Sequence, residues 1–397
     1  MTPLEQFRQL QTAEGRALLE AIAVEAPTPA TTITVATRLR ARWAPDLVSA
    51  ALTQYELRQR AEGRFPHPER LWFTRAGLEQ ASNMAIARYR AARYRNLSAV
   101  WDLCSGIGGD LLGLAAEPTI EEIHAVDRDP LHLAMAQANA EELALADRMT
   151  FIEADVQDIA LPPGVGVFID PARRTTAGRL ATGDSEPPLD WCFGLAASER
   201  RVGIKAAPGI DHAVLPAGWE FEAIALDTDL KEAALWSPSL ARASRTATVI
   251  TASGPASLEP VPGDPIPHRT PLAGDVLLDP NPAVTRAGLV EDLARTLPGT
   301  IAMIDPRIAF LLADTEVRTP FARALRVIDS FPWHEKKLKR RLRELEAGPV
   351  DIRRRGLPGD VDAISRRLRG PGTRPVTIAM TRVDNQPWAI ICEALPG

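Results

Sequence analysis

VWDLCSGIGGD, residues 100–110, is the stretch whose reading decides the fold. A β-branched and aromatic run ends in Asp102, passes through a glycine-rich turn at Gly106, Gly108 and Gly109, and opens into the helical pattern DLLGLAAE. Glycine admits positive φ and lets the backbone pass close to a ligand, and the following helix offers oriented N–H groups. The plain alternative is a tight strand-to-helix turn. The spacing is G-x-G-G, so the dinucleotide fingerprint G-x-G-x-x-G fails at its third glycine. An acid closing the strand favours instead a ligand whose cationic amino group lies over the turn, as in an amino-acid sulfonium.

Working outward, short β-rich runs alternate with helical ones. The expected strands are AVWDLC (99–104), EEIHAVD (121–127), MTFIEAD (149–155), GVGVFID (164–170), RVGIKAA (201–207), WEFEAIALD (219–227) and RTATVIT (245–251). Helical patterns separate the first five, which predicts an α/β fold with a doubly wound, seven-stranded parallel sheet. No full helix lies between the last two, which suggests a closing antiparallel strand.

Strand-end acids extend the candidate site. Asp127 closes the second strand 21 residues after Gly106, where a carboxylate accepts both hydroxyls of a ribose. Asp155 closes the third, placed for an adenine amino group, with the Val156 N–H beside it for a ring nitrogen. A lone Asp at a strand end is usually a cap or turn residue. Three on consecutive strands beside a glycine turn point to a ligand, because open α/β sheets bind there. The fourth strand runs into FIDPARRTTAGR. Asp170 and Pro171 direct a carboxylate and a rigid turn into the same cleft, and Arg173 and Arg174 follow with planar groups suited to a base or a phosphate.

The flanks differ in texture. Residues 1–94 read as a helical domain in which Arg88, Arg90, Arg93 and Arg95 recur along one helix, covering a surface or extending a basic track. Residues 95–253 hold the sheet, and the Pro/Gly/Ser-rich 254–271 reads as a linker. A small α/β unit is expected over 272–328 and a basic α+β unit over 329–397, the latter ending in a hairpin within PVTIAMTRVDNQPWAIICEAL. The chain of 397 residues carries a net charge of −5, yet 332–375 alone holds thirteen Lys or Arg against six Asp or Glu. Such a lobe fits either a polyanion or a solvated face. Its candidate phosphate contacts are Lys336, Lys337, Lys339, Arg340, Arg341 and Arg343, then Arg353, Arg354 and Arg355.

Composition narrows the class. With 45% hydrophobic and 24% charged residues the chain reads as ordinary globular protein, and no apolar run reaches membrane-span length. The N-terminus lacks the features of a secretory signal. Three cysteines without a CxxC argue against a disulfide framework and fit a reducing cytoplasm. Cys192 reads as a buried thiol rather than a nucleophile. His124 and His132 lack further ligands, so no metal is expected. Lys231 and Glu232 read as a structural ion pair.

VWDLCSGIGGD, AVD, EADV and DPARR resemble the successive motifs of class I S-adenosylmethionine-dependent methyltransferases. RAARYRN, LKEAALWS, DPNPAVTRAGL, PFARALRVIDSFPW and RRRGLPGDVDAISRRL extend the resemblance, over nearly the whole chain, to bacterial members with a C-terminal THUMP-like domain. The resemblance implies a Rossmann-like sheet, a ferredoxin-like and THUMP-like C-terminal region, and S-adenosylmethionine as cofactor. The implied cofactor set is Asp102, Ser105, Gly106, Gly108, Gly109, Asp127, Asp155 and Val156; Asp170, Pro171 and Arg173 are the implied catalytic set. Methyltransferases of base amino groups resemble one another in Asp/Asn-Pro-Pro-aromatic; here Ala172 and Arg173 replace its last two residues. The expected function is methylation of RNA at a base amino or ring nitrogen. A small-molecule methyltransferase and a non-catalytic RNA-binding protein of the same fold are the alternatives.

Overall fold

The runs expected to be extended do form strands, and their order places the glycine turn at the centre of a sheet. The computed structural model describes residues 2–172, 174–175, 178–179 and 185–395. The chain divides into two units, Met1–Trp219 with Ala234–Ala241, and Glu220–Ala233 with Arg242–Gly397.

The first unit opens with six helices: α1 (Pro3–Gln11), α2 (Ala13–Glu25), α3 (Thr32–Leu39), α4 (Pro45–Arg60), α5 (Arg75–Gln80) and α6 (Met84–Ala91). Side-chain oxygens of Thr2, Thr12, Thr74 and Asn83 accept backbone N–H groups at four of their starts, which supplies partners to otherwise orphaned donors. The sheet strands follow as β1 (Ala99–Leu103), β2 (Glu122–Asp127), β3 (Met149–Glu153), β4 (Gly166–Ile169) and β5 (Arg201–Ala206). They pair in parallel in the order β5-β4-β1-β2-β3. Direction of travel across the sheet reverses at β1, and a ligand crevice opens outside the strand ends at such a point.

Helices α7 (Gly109–Ala115) and α8 (Pro130–Glu142) follow β1 and β2, and α9 (Leu189–Gly194) precedes β5; between β3 and β4, where a helical pattern is expected, there is only the short turn Val156–Asp158. The N-terminal helices are not a body apart from them. Phe7, Leu18, Ile22, Leu57 and Trp72 share one core with Ile107, Leu112, Met135 and Ala138. A Cβ on Gly113 of α7 would lie 2.6 Å from the Ala87 Cβ of α6, so glycine is what lets the two helices meet.

In the second unit β6 (Glu220–Leu226) pairs in parallel with β8 (Arg245–Thr251). The expected antiparallel closure is therefore displaced. It falls to β9 (Gly254–Leu258), antiparallel to β8 and drawn from residues read as linker. Between β6 and β8 the LKEAALW run is itself a strand, β7 (Asp229–Trp236), so residues 95–258 carry more long strands than the seven expected.

A seven-stranded sheet completes this unit, ordered β11-β12-β10-β13-β16-β15-β14. Its members are β10 (Val276–Pro280), β11 (Ile301–Asp305), β12 (Ile308–Ala313), β13 (Ala322–Pro332), β14 (Ala347–Arg354), β15 (Arg374–Val383) and β16 (Gln386–Ala394). The boundary expected at 328/329 lies inside β13, which joins β10 on one side to β16 on the other. The terminal hairpin forms through Asp384 and Asn385, both at positive φ, as a tight two-residue turn requires. The helix pairs α10 (Pro282–Ala287) with α11 (Val290–Thr296), and α12 (Glu335–Glu344) with α13 (Val361–Leu368), complete the unit. Among the described residues no helix is long and apolar enough to cross a membrane.

Candidate active site

A cavity of about 500 Å³ opens at the carboxyl ends of β1 to β4. Ser105, Gly106, Gly109, Asp127, Asp155, Val156, Asp170 and Pro171 all line it, so eight of the expected residues converge on one space. Gly106 has φ +54° and nothing within 4 Å of a Cβ built on it, leaving backbone open to the cavity. Gly108, at φ +89°, starts α7 in the left-handed conformation that glycine adopts without strain. Arg173 lies outside the described residues. The backbone of Arg174 belongs to a short ladder, Arg174–Thr175 with Gly178–Arg179.

The strand-end acids are held by backbone. Gly106 N–H donates to Asp127 Oδ2 at 2.7 Å and Asp129 N–H to Oδ1 at 2.9 Å. Asp155 accepts from Gln157 N–H at 3.0 Å and leaves β3 as an N-cap. Asp102 differs: it is 1% exposed and neither carboxylate oxygen has a hydrogen-bond partner. Burial pushes its carboxyl well above the usual range, with Asp110, Asp170 and Asp127 adding to the rise and Arg90 opposing it. Asp102 and Gly108, both expected to meet the cofactor, do not line the cavity: Asp102 lies within β1 beneath the turn, and Gly108 packs against Ala136 of α8.

Three further residues, none expected at the site from the sequence, shape it. The Asn139 side chain donates to the Ile107 and Trp72 carbonyls at 3.0 Å each and accepts the Trp72 N–H at 2.7 Å, pinning the glycine turn to the α4–α5 connection. Arg90 is buried, bonds Asp110 and Ser82, and lies over Phe168. Lys205, on β5, pairs with Asp170 at 2.6 Å. Burial raises the Asp170 carboxyl, and Lys205 opposes that rise. The available signal was a polar side chain inside an apolar run, the Lys of RVGIKAA and the Asn of AMAQANAEEL.

Neither surface cover nor a basic track describes all four arginines of 88–95. Arg90 and Arg93 are buried, Arg93 donating to the Leu240 carbonyl at 3.0 Å. Cys192 is a buried thiol pushed up to about 12 by that burial. His124 stacks on Trp101, whereas His132 lies 3.1 Å from the Thr74 hydroxyl. Lys231 pairs with Asp229 at 3.2 Å, not with the adjacent Glu232.

In the second unit most candidate phosphate contacts already have internal partners. Lys339 pairs with Glu335, Arg340 with Glu344, and Arg341 with Asp329 and Glu344. Lys337 lies over the Phe331 ring. Arg353 reaches Asp351, Arg354 the Gly359 carbonyl, and Arg355 is committed to Asp279 at 2.8 Å and to the Pro280 carbonyl. Lys336 and Arg343 are exposed, seven residues apart on one face of α12.

A parallel sheet that reverses at β1, with acids at its strand ends around a glycine turn, defines the methyltransferase type of Rossmann-like fold. Residues 97–182 match the family described as RNA cap guanine-N2 methyltransferase, and 322–394 match the THUMP domain-like family. Residues 3–61 match a domain of unknown function. An uncharacterized S-adenosylmethionine-dependent methyltransferase of Mycobacterium tuberculosis, known from strains CDC 1551 and H37Rv, is 34% identical over 359 residues, covering 87% of this chain and 95% of its relative. The chain belongs to the S-adenosylmethionine-dependent methyltransferases, with a THUMP-like domain at its C-terminus. A crystal structure from Porphyromonas gingivalis W83, of a protein with a provisional methyltransferase name, superposes at TM-score 0.73. It is 18% identical and covers 96% of this chain and 98% of its own, a likeness of fold.

Proposed function

We propose that this enzyme transfers the methyl group of S-adenosylmethionine to a base amino or ring nitrogen of RNA. The observation that carries the reading is the shared cavity: Asp127, Asp155 and Asp170 line one space around the Gly106 backbone. The donor set fits the cofactor. Of the residues lining the cavity, Asp127 suits the ribose hydroxyls, Asp155 the adenine amino group and the Val156 N–H a ring nitrogen, with the open Gly106 backbone between them. The bound cofactor supplies an electrophilic methyl group. The protein holds the acceptor in line with it, and Asp170, beside the rigid Pro171, accepts a hydrogen bond from the acceptor N–H.

RNA as substrate is supported by the cap-methyltransferase and THUMP-like matches and by the exposed Lys336 and Arg343 of the C-terminal lobe. Mass spectrometry of nucleosides from total RNA of a deletion strain and its parent tests this reading. One methylated nucleoside missing from the deletion strain is the expected result. Identical nucleoside profiles, with a methylated small molecule missing instead, would transfer the enzyme to small-molecule chemistry.

A further inference from the structure

Lys205 has no part in the reading above, yet it joins two walls of the cavity. Its side chain is 5% exposed, and its ammonium donates to Asp170 Oδ2 at 2.6 Å and to the Gln80 carbonyl at 3.0 Å. Asp170 lines the cavity from the end of β4, and Gln80 lines it from the end of α5. We propose that Lys205 is a positioning residue for methyl transfer, fixing the Asp170 carboxylate in its ionised form and in one orientation against the α5 wall. This rests on reading Asp170 as the acid that meets the acceptor.

The electrostatics of the cluster supply the reason. Asp170 is faced by Lys205 from β5, Asp110 from α7, Arg90 from α6, and Asp102 and Cys104 from β1 and its turn. Two cations thus serve three carboxylates. A buried carboxylate keeps its charge when a cation stands against it and takes up a proton when that cation is removed. Without Lys205, Asp170 retains Arg90, which is already engaged by Asp110. A protonated Asp170 has lost an acceptor oxygen where the acceptor N–H must be received, and it has lost the tie that aims it.

Carbon-13 NMR of aspartate-labelled full-length protein with S-adenosylhomocysteine bound reads this directly, without an acceptor. The Asp170 carboxyl is assigned by its absence in Asp170→Asn. The wild-type carboxyl is expected to stay ionised through neutral pH, and in Lys205→Met its midpoint is expected to rise by more than about one pH unit. Lys205→Arg is expected to restore the wild-type titration, and Lys205→Gln replaces the Met variant should that chain fail to fold. Calorimetry is expected to give the same S-adenosylhomocysteine affinity, within about threefold, for all variants, which separates this role from cofactor binding. With total RNA of the deletion strain as acceptor, Lys205→Met should transfer at least about tenfold more slowly at pH 7 and recover as pH rises. An unshifted Asp170 midpoint in Lys205→Met, or a loss of rate indifferent to pH, overturns the proposal. Full activity in Asp170→Asn overturns the reading of Asp170 itself, and the role of Lys205 falls with it.

Discussion

The Gly106 N–H donates to Asp127 Oδ2 at 2.7 Å, so the end of β2 braces the turn that leaves β1. With the Asp129 N–H on its other oxygen, the carboxylate is oriented by backbone on both sides and each oxygen keeps a lone pair. Residues 21 apart in the chain thereby form one preorganised edge of the cavity.

Asp127→Ala removes this brace together with the ribose acceptors. S-Adenosylhomocysteine binding should weaken by about 1.5–3 kcal/mol, and Asp127→Asn, which keeps one acceptor oxygen, should lose less. Titration calorimetry measures both, and NADH should give no heat with the wild-type protein.

Asp102 predicts a proton signature. Its carboxyl is raised above the ordinary 3.8 by burial, so the folded chain holds a proton that the unfolded chain releases. Its contribution to stability is full below that ordinary value and declines as pH rises through the raised one. Thermal melts at a series of pH values should show that decline, and Asp102→Asn should flatten it.

Asn139→Ala leaves the Trp72 N–H and the Ile107 carbonyl without their buried partner. The expected cost is about 2–3 kcal/mol. Thermal denaturation reads that loss, and cofactor affinity should fall with it because the glycine turn is no longer pinned.

The C-terminal cations should separate into two kinds. Lys336→Ala with Arg343→Ala should lower the slope of log affinity for RNA against log salt by about 1.4–1.8, as two lost phosphate contacts require. Arg355→Ala should leave that slope alone and destabilise the chain by about 1.5–3 kcal/mol, because its guanidinium holds Asp279 and the Pro280 carbonyl. Salt titrations and thermal melts distinguish the two.

What the sequence made legible was local. β1 to β4 could be read because apolar and β-branched residues run up to an Asp, with a helix following β1 and β2, though only a short turn follows β3. The acids at those ends were legible for the same reason, since the fold brings strand ends together wherever the pairing is parallel. β7 was missed because LKEAALW carries helix-favouring Lys231, Glu232 and Ala233 in a strand whose last five residues are buried. β9 was missed because Gly254 and Pro255 read as linker, yet an edge strand tolerates both. Partners distant in sequence were invisible: the run Arg353–Arg355 reads as a phosphate grip until Asp279, 76 residues before Arg355, comes into place. Lys205 was hidden likewise, as a single charge in an apolar strand whose partner Asp170 lies on the neighbouring one.

Methyl transfer in vitro tests the central claim most directly. Purified full-length protein is incubated with S-adenosylmethionine carrying a deuterated methyl group and total RNA from the deletion strain, and the RNA is digested to nucleosides for mass spectrometry. The account predicts the heavy methyl group on a base nitrogen of one nucleoside, absent when Asp170→Asn replaces the wild type. RNA that gains no label, from an enzyme that binds S-adenosylhomocysteine normally, would contradict it.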